Sequence, residues 1–147
     1  MELNERVLSW VIPEYFADKD IEYKINKPGH FFLVDREGNE RFEMNFNSLE
    51  NKTRAIPQQD NNLELSKIHV FRPEDRKKGV SSYYLNKLVE YCIELNITTI
   101  SLTVVDMNNT NDKSDAIKGN HLRKSELIDF YKKHIEQDGG LMLNIIP

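Results

Sequence analysis

The chain has 147 residues, 39% of them hydrophobic and 30% charged, with a net charge of −4. That length is enough to bury one core, and the composition is too apolar for a wholly disordered chain. One cysteine, Cys92, excludes an internal disulfide framework and a multi-cysteine metal cluster, and the acidic balance speaks against nonspecific nucleic-acid binding.

No apolar run approaches the ~20 residues that span a bilayer. The opening stretch, Met1 to Arg6, carries acids where a secretory signal would carry bases, so the expected address is the cytoplasm. Residues 1–60 hold 8 basic and 12 acidic side chains, whereas 61–147 hold 12 of each. This asymmetry fits one site for an anionic cofactor and another for a basic acceptor, although an ordinary solvated surface would look the same.

Residues 4–16 read as a short amphipathic helix with Asn4 as N-cap and Val7, Leu8, Val11 and Tyr15 on its stripe, ended or kinked by Pro13. A weak strand, Ile21 to Ile25, leads through Pro28-Gly29 to Phe31–Val34 and Arg41–Phe46. The polar segment 35–40 between the last two predicts a β-hairpin, and Phe42, Met44 and Phe46 share one face. Residues 47–62 read as a polar loop.

From Leu63 to Phe71 the pattern is a strand whose alternation slips: Leu63 and Leu65 have one parity, Ile68 and Val70 the other. A period of two changes parity within a strand only by inserting a residue, so a β-bulge is expected near Ser66-Lys67, with backbone groups freed for a ligand. A basic turn follows, then a helix to about Leu95 with Tyr84, Leu85, Leu88, Cys92 and Leu95 on its stripe. Thr98–Val105 is a β-branched strand and 106–124 a polar loop. Ser125 is placed to cap a helix carrying Leu127, Phe130, Tyr131 and His134. Gly139-Gly140 turns the chain into a last strand, Leu141–Ile146. Strand, helix, strand with a short first loop implies a right-handed parallel crossover.

The turn between the bulged strand and its helix carries the chemistry. Gly79 lets the backbone approach a ligand without a Cβ in the way, and the first amides of the following helix suit a pyrophosphate. Arg76, Lys77 and Lys78 add positive charge, and Val80, Ser81 and Ser82 supply the first amides. A solvated basic turn is the competing reading. Neither a P-loop nor a dinucleotide fingerprint is present.

The segment Val70–Ser81 resembles the acetyl-coenzyme A loop of the GNAT N-acetyltransferases, whose pattern there is Arg/Gln-x-x-Gly-x-Gly/Ala. Arg76 and Gly79 match, and Ser81 stands at the last small position. That family also has a bulged strand before the loop and a Phe-Tyr pair on a C-terminal helix, which Phe130-Tyr131 resembles. The usual Gly-Phe after the pair is replaced by His134-Ile135. The resemblance covers 63–147; before it the family usually has a strand and two helices, where this chain reads as one helix.

The resemblance implies an α/β fold of GNAT type. A mixed, mostly antiparallel sheet would be splayed at the bulge, with helices on both faces, in one domain over 1–147. Residues 1–62 would form the acceptor side and 63–147 the acetyl-coenzyme A core. It implies direct attack of an amine on the thioester, with a backbone amide from Ile68, His69 or Val70 polarising the carbonyl.

Glu64 and His69 are the candidates to take a proton, and a solvent-facing glutamate and a structural histidine are the alternatives. Tyr131 resembles the tyrosine that protonates the departing thiolate, although a tyrosine on an apolar stripe also reads as core. Cys92 reads as packing, and His30, His69, His121 and His134 lack metal-ligand spacing, so no metal is expected. The acceptor would be a small amine or a protein lysine or N-terminus, without nucleic acid or membrane. Many members of the family dimerise, so a homodimer is one expected state. Two other readings stand beside this one: a non-catalytic coenzyme A-binding or regulatory module of the same fold, and an unrelated α+β interaction protein.

Overall fold

A computed structural model describes residues 3–47, 62–103 and 124–146. The loops read at 47–62 and 106–124, and the end of the Thr98–Val105 strand, fall mainly outside them. The elements are α1 (Leu3–Ser9), β1 (Glu22–Lys27), β2 (His30–Val34), β3 (Glu40–Asn47), β4 (Asn62–Val70), α2 (Val80–Glu94), β5 (Thr99–Leu102), α3 (Lys124–Tyr131) and β6 (Met142–Ile145). Short 3-10 turns occupy Glu14–Phe16 and Pro73–Asp75, and α3 continues as a π-helical stretch over Lys132–Gln137.

The strands form one six-stranded sheet in sequence order. β1 to β4 pair antiparallel; β4–β5 and β5–β6 pair parallel. The N-terminal hairpins and the C-terminal strands therefore belong to one sheet and one apolar cluster. The β1–β2 turn needs its glycine: Gly29 has φ +88° and hydrogen-bonds with Phe46, and a Cβ there would lie 2.1 Å from the Phe46 carbonyl oxygen.

The bulge in β4 is where the parity slip put it. Lys67 faces Asn45 and Leu65 faces Phe46, so Ser66 is the extra residue. Leu63 and Leu65 are buried before it and Val70 after it, all against the helical layer. Pairing with β5 runs from Asn62–Thr99 to Leu65–Leu102. Beyond Leu65 the strand keeps its other partner, β3, out to Val70.

Among the described residues, the expectation of helices on both faces is corrected. All three described helices lie on the face of Phe31, Phe42 and Phe46. Trp10, just after α1, packs edge-on to Phe31; Tyr84 of α2 stacks on Phe42 at 4.8 Å; and Tyr91 meets Phe46. The α3 helix lies beside α2, with His134 Nδ1 3.1 Å from Asn86 Oδ1. The reason is handedness: two successive right-handed crossovers that advance in the same direction along a sheet place both helices on the same side.

α1 is also shorter than the stripe implied. It stops at Ser9, with Asn4 inside it rather than capping it, and its buried residues are Leu3 and Val7, joined by Trp10. Leu8 is exposed within α1, whose buried side is taken by Leu3 and Val7, and Val11 is exposed beyond the helix, which ends before Pro13. Ser125 likewise sits inside α3. No described helix is long and apolar enough to cross a membrane.

Candidate functional site

The turn from Arg72 to Gly79 has a pinned inner side and a free outer side. Asp75 is buried and accepts two bonds from Arg41, from Nε at 2.8 Å and Nη2 at 2.9 Å, and a third from the Tyr15 hydroxyl at 2.8 Å. Burial works against the charge on Asp75, but the Arg41 and Tyr15 bonds outweigh it and hold its carboxyl below the ordinary aspartate value. Arg41 is the extra residue of a second bulge, since Leu33 faces Phe42 while Val34 faces Glu40. That bulge lets Arg41 reach the turn while lying over the Phe16 ring, and Asp35 of the β2–β3 turn faces the same guanidinium.

Arg76, expected beside a ligand, is turned inward. It is buried and donates from Nε to the Val70 carbonyl at 3.2 Å and from Nη2 to the Phe71 carbonyl at 3.5 Å. It braces the turn onto the end of β4. Lys77 and Lys78 stay exposed, and Lys77 adopts a left-handed φ of 60°.

Gly79 is the N-cap of α2 with φ +85°, and no side chain caps the helix. The first bond of α2 runs from the Tyr83 amide to the Gly79 carbonyl, so the amides of Val80, Ser81 and Ser82 open the helix without an intrahelical acceptor. A Cβ on Gly79 would meet no atom of a described residue within 4 Å. The backbone conformation favours glycine there, while the space in front of it is clear. The 15-residue helix thus opens with amides that no described side chain caps, beside two exposed lysines, and such amides carry partial positive charge.

Ile68 and Val70 point to the helical layer, Ile68 half-buried and Val70 buried, and their backbone forms the arm of β4 beyond the bulge. Glu64 and His69 both lie on the opposite face of the sheet. Glu64, exposed, sits before the bulge, level with Ser101; His69, half-buried, sits after it, level with Glu43. His69 meets the Phe71 ring edge-on at 4.7 Å.

Tyr131 is on the helical side, buried against Phe130. Burial pushes its hydroxyl up to about 12, so it is protonated at neutral pH, and it makes no hydrogen bond to another described residue. The three candidate catalytic side chains are thus divided between the two faces of the sheet. Cys92 is buried in α2 with its thiol likewise pushed up to about 12, which suits packing and not nucleophilic chemistry.

One cluster escaped the sequence reading. Glu43, in the middle of β3, is buried on the face away from the helices. Its Oε2 lies 2.6 Å from His30 Nε2 and its Oε1 3.0 Å from Lys67 Nζ. The Asn26 side-chain amide lies 2.9 Å from His30 Nδ1, so that nitrogen accepts and Nε2 carries the proton given to Glu43. Burial opposes the charge on Glu43, and the His30 and Lys67 contacts outweigh it, so its carboxyl sits below the usual glutamate range. In sequence Glu43 reads as the polar member of an alternating strand. Only the diagonal reach of His30 and Lys67 from neighbouring strands assembles the group.

No family model matches the chain, and no curated protein matches it.

Proposed function

We propose that the chain is an acetyl-coenzyme A-dependent N-acetyltransferase of GNAT type. The observation that carries this reading is the start of α2: uncapped amides behind Gly79, clear space in front of it, and a turn clamped from within by Asp75 and Arg76. Such a turn offers a pyrophosphate preorganised donors at little cost in ordering. The bulge at Ser66 is the second support, since the described pairing of β4 with β5 ends just before it at Leu65, while Ile68–Val70 pairs with β3.

Acetyl-coenzyme A would supply an activated acyl thioester. Backbone amides of Val80, Ser81 and Ser82 hold the pyrophosphate, with Lys77 and Lys78 adding charge. A backbone amide of the Ile68–Val70 arm donates to the thioester carbonyl oxygen, where negative charge develops. A sheet that opens beyond Leu65 would let the two faces serve opposite sides of the reacting carbon. Glu64 or His69, through water, takes the proton of the attacking amine from one face. Tyr131, protonated and with its hydroxyl bonded to no described residue, gives a proton to the departing sulfur from the other.

One observation favours a second reading, a non-catalytic coenzyme A-binding module: Glu64, His69 and Tyr131 do not meet as side chains. Calorimetric titration with acetyl-coenzyme A, on the wild type and on Gly79→Glu, tests the cofactor claim. The new side chain enters clear space, and the left-handed conformation costs a non-glycine residue about 1–2 kcal/mol. The variant is expected to stay folded and lose all measurable binding. A wild type that gives no heat and no thermal shift sinks both readings. Binding without thiol release on any amine selects the non-catalytic one.

A further inference from the structure

The sheet has two outer edges, and they are finished differently. β1 carries Glu22, Lys24 and Lys27 and a register break between Ile25 and Lys27. Charges and bulges of that kind keep an edge from pairing with another chain. β6 has neither. From Leu141 to Ile146 there is no charged residue, and the pairing with β5 is unbroken from Met142 to Ile145.

Met142 and Ile146 donate their amides inward, to the Thr98 and Leu102 carbonyls, each at 2.8 Å. By alternation Leu143 and Ile145 turn theirs outward, where no described strand lies. Leu143 shows the direction: its amide donates to Glu136 Oε2 at 3.3 Å. Glu136 is exposed, and a carboxylate on a flexible stem at that distance is a weak holder. The side chains add a second observation. Met142 is 67% exposed and Ile146 38%, in a molecule that buries most of its large apolar side chains. Both lie on the face away from the helices, two residues to either side of Asn144.

We propose that β6 is the interface for a second copy of this chain, paired antiparallel with itself about a two-fold axis through Asn144. Leu143 and Ile145 of one copy then exchange backbone bonds with Ile145 and Leu143 of the other, whose carbonyl displaces Glu136. The same operation sets Met142 of each copy against Ile146 of the other. A two-fold contact that pairs one residue with a second also pairs the second with the first. A strand whose exposed apolar residues lie symmetrically about its middle is therefore complementary to itself. An axis at Leu143 would instead set Met142 against Asn144 and Ile146 against Gly140. The two sheets become one, with the helices of both copies on the same face. A four-residue strand makes a small contact, so a dissociation constant on the order of micromolar is expected. The inference is independent of the acetyltransferase reading.

The test is sedimentation velocity of the whole chain from micromolar to sub-millimolar concentration, on the wild type, Met142→Lys, Ile93→Lys and Asn144→Cys. The wild type is expected to dimerise. Met142→Lys sets a charge against an apolar side chain of the other copy and should weaken the dimer at least about tenfold. Ile93→Lys, the same change at a 54% exposed position on α2, should leave it within about twofold. Residues on the axis form a non-hydrogen-bonded pair with Cα atoms about 4.5 Å apart, within disulfide reach. Asn144→Cys should therefore give a cross-linked dimer with oxidised glutathione on a non-reducing gel. The wild type, whose one cysteine is buried, should not. A wild type that stays monomeric over the whole range overturns the proposal. So does a dimer that survives Met142→Lys, or one that Ile93→Lys abolishes, which would move the contact to the helical side. A dimer in which Asn144→Cys fails to cross-link overturns the axis at Asn144.

Discussion

The two faces of this sheet are held by different physics. The helical face is a continuous aromatic and aliphatic layer: Phe31, Phe42, Phe46, Leu63 and Ile100 against Tyr84, Leu88 and Tyr91. Even its polar atoms are internalised, with the Tyr23 hydroxyl bonded to the Trp10 carbonyl at 2.6 Å and shared with Tyr84 at 2.8 Å. The opposite face carries Glu43 paired with His30 and Lys67, Ser101 bonded to Asn62, His69 against Phe71 and the exposed Glu64, and is covered by no described helix. An apolar layer stabilises in proportion to area, whereas polar pairs barely exceed their desolvation cost but leave groups able to exchange partners. The lesson is a division of labour. One face supplies most of the apolar burial and the other carries exchangeable polar groups.

The largest expected effect separates the faces directly. Phe42→Ala removes a fully buried ring stacked on Tyr84 and should cost about 3–5 kcal/mol by urea unfolding. Phe32→Ala, half-buried on the opposite face, should cost about 1 kcal/mol or less. Equal costs would mean that both faces are packed core.

Next comes the ionic clamp beneath the turn, which breaks the simple division because it is polar yet structural. Arg41→Met strands the buried Asp75 and should cost about 3 kcal/mol. The same clamp sets an acid limit. The carboxyls of Asp75 and Glu43 are depressed in the folded chain, so their contribution is complete above the unfolded carboxylate range, near pH ~4, and is lost as pH falls through their folded values. Melting temperature should therefore drop below about pH 4, and Asp75→Asn should lower stability at neutral pH while flattening that acid slope.

The smallest expected effect on stability is the most informative for mechanism. Tyr131→Phe removes a hydroxyl with no described partner, so unfolding should change by no more than about 0.5 kcal/mol. If the chain turns over a thioester, thiol release by this variant should fall by about 10²-fold or more with acetyl-coenzyme A affinity unchanged. An unchanged rate would return Tyr131 to the core.

Much of this was legible from local pattern. The strands, the helix after the basic turn, the bulge at Ser66 and the left-handed Gly79 all leave signatures within a few residues, because pleat, helical period and φ are local properties. Two expectations failed for the same reason. Arg76 read as a ligand-facing cation because a basic run does not say which of its members folds inward; that was decided by the Val70 and Phe71 carbonyls at the end of β4. α1 read as a longer helix because Leu8 and Val11 keep helical spacing, although of that stripe the core accepts Val7, joined by Leu3 and Trp10, and leaves Leu8 and Val11 exposed.

What the sequence by itself determined was the order of elements, the slip in β4 and the glycine at the start of α2. Only the tertiary structure decided that the three described helices share one face, that Asp75 closes on Arg41 from 34 residues away, and that His30, Glu43 and Lys67 meet. The physical reason is range. Backbone preference and periodicity act over a turn or a pleat, whereas a buried charge is tolerated only where distant strands bring its partners.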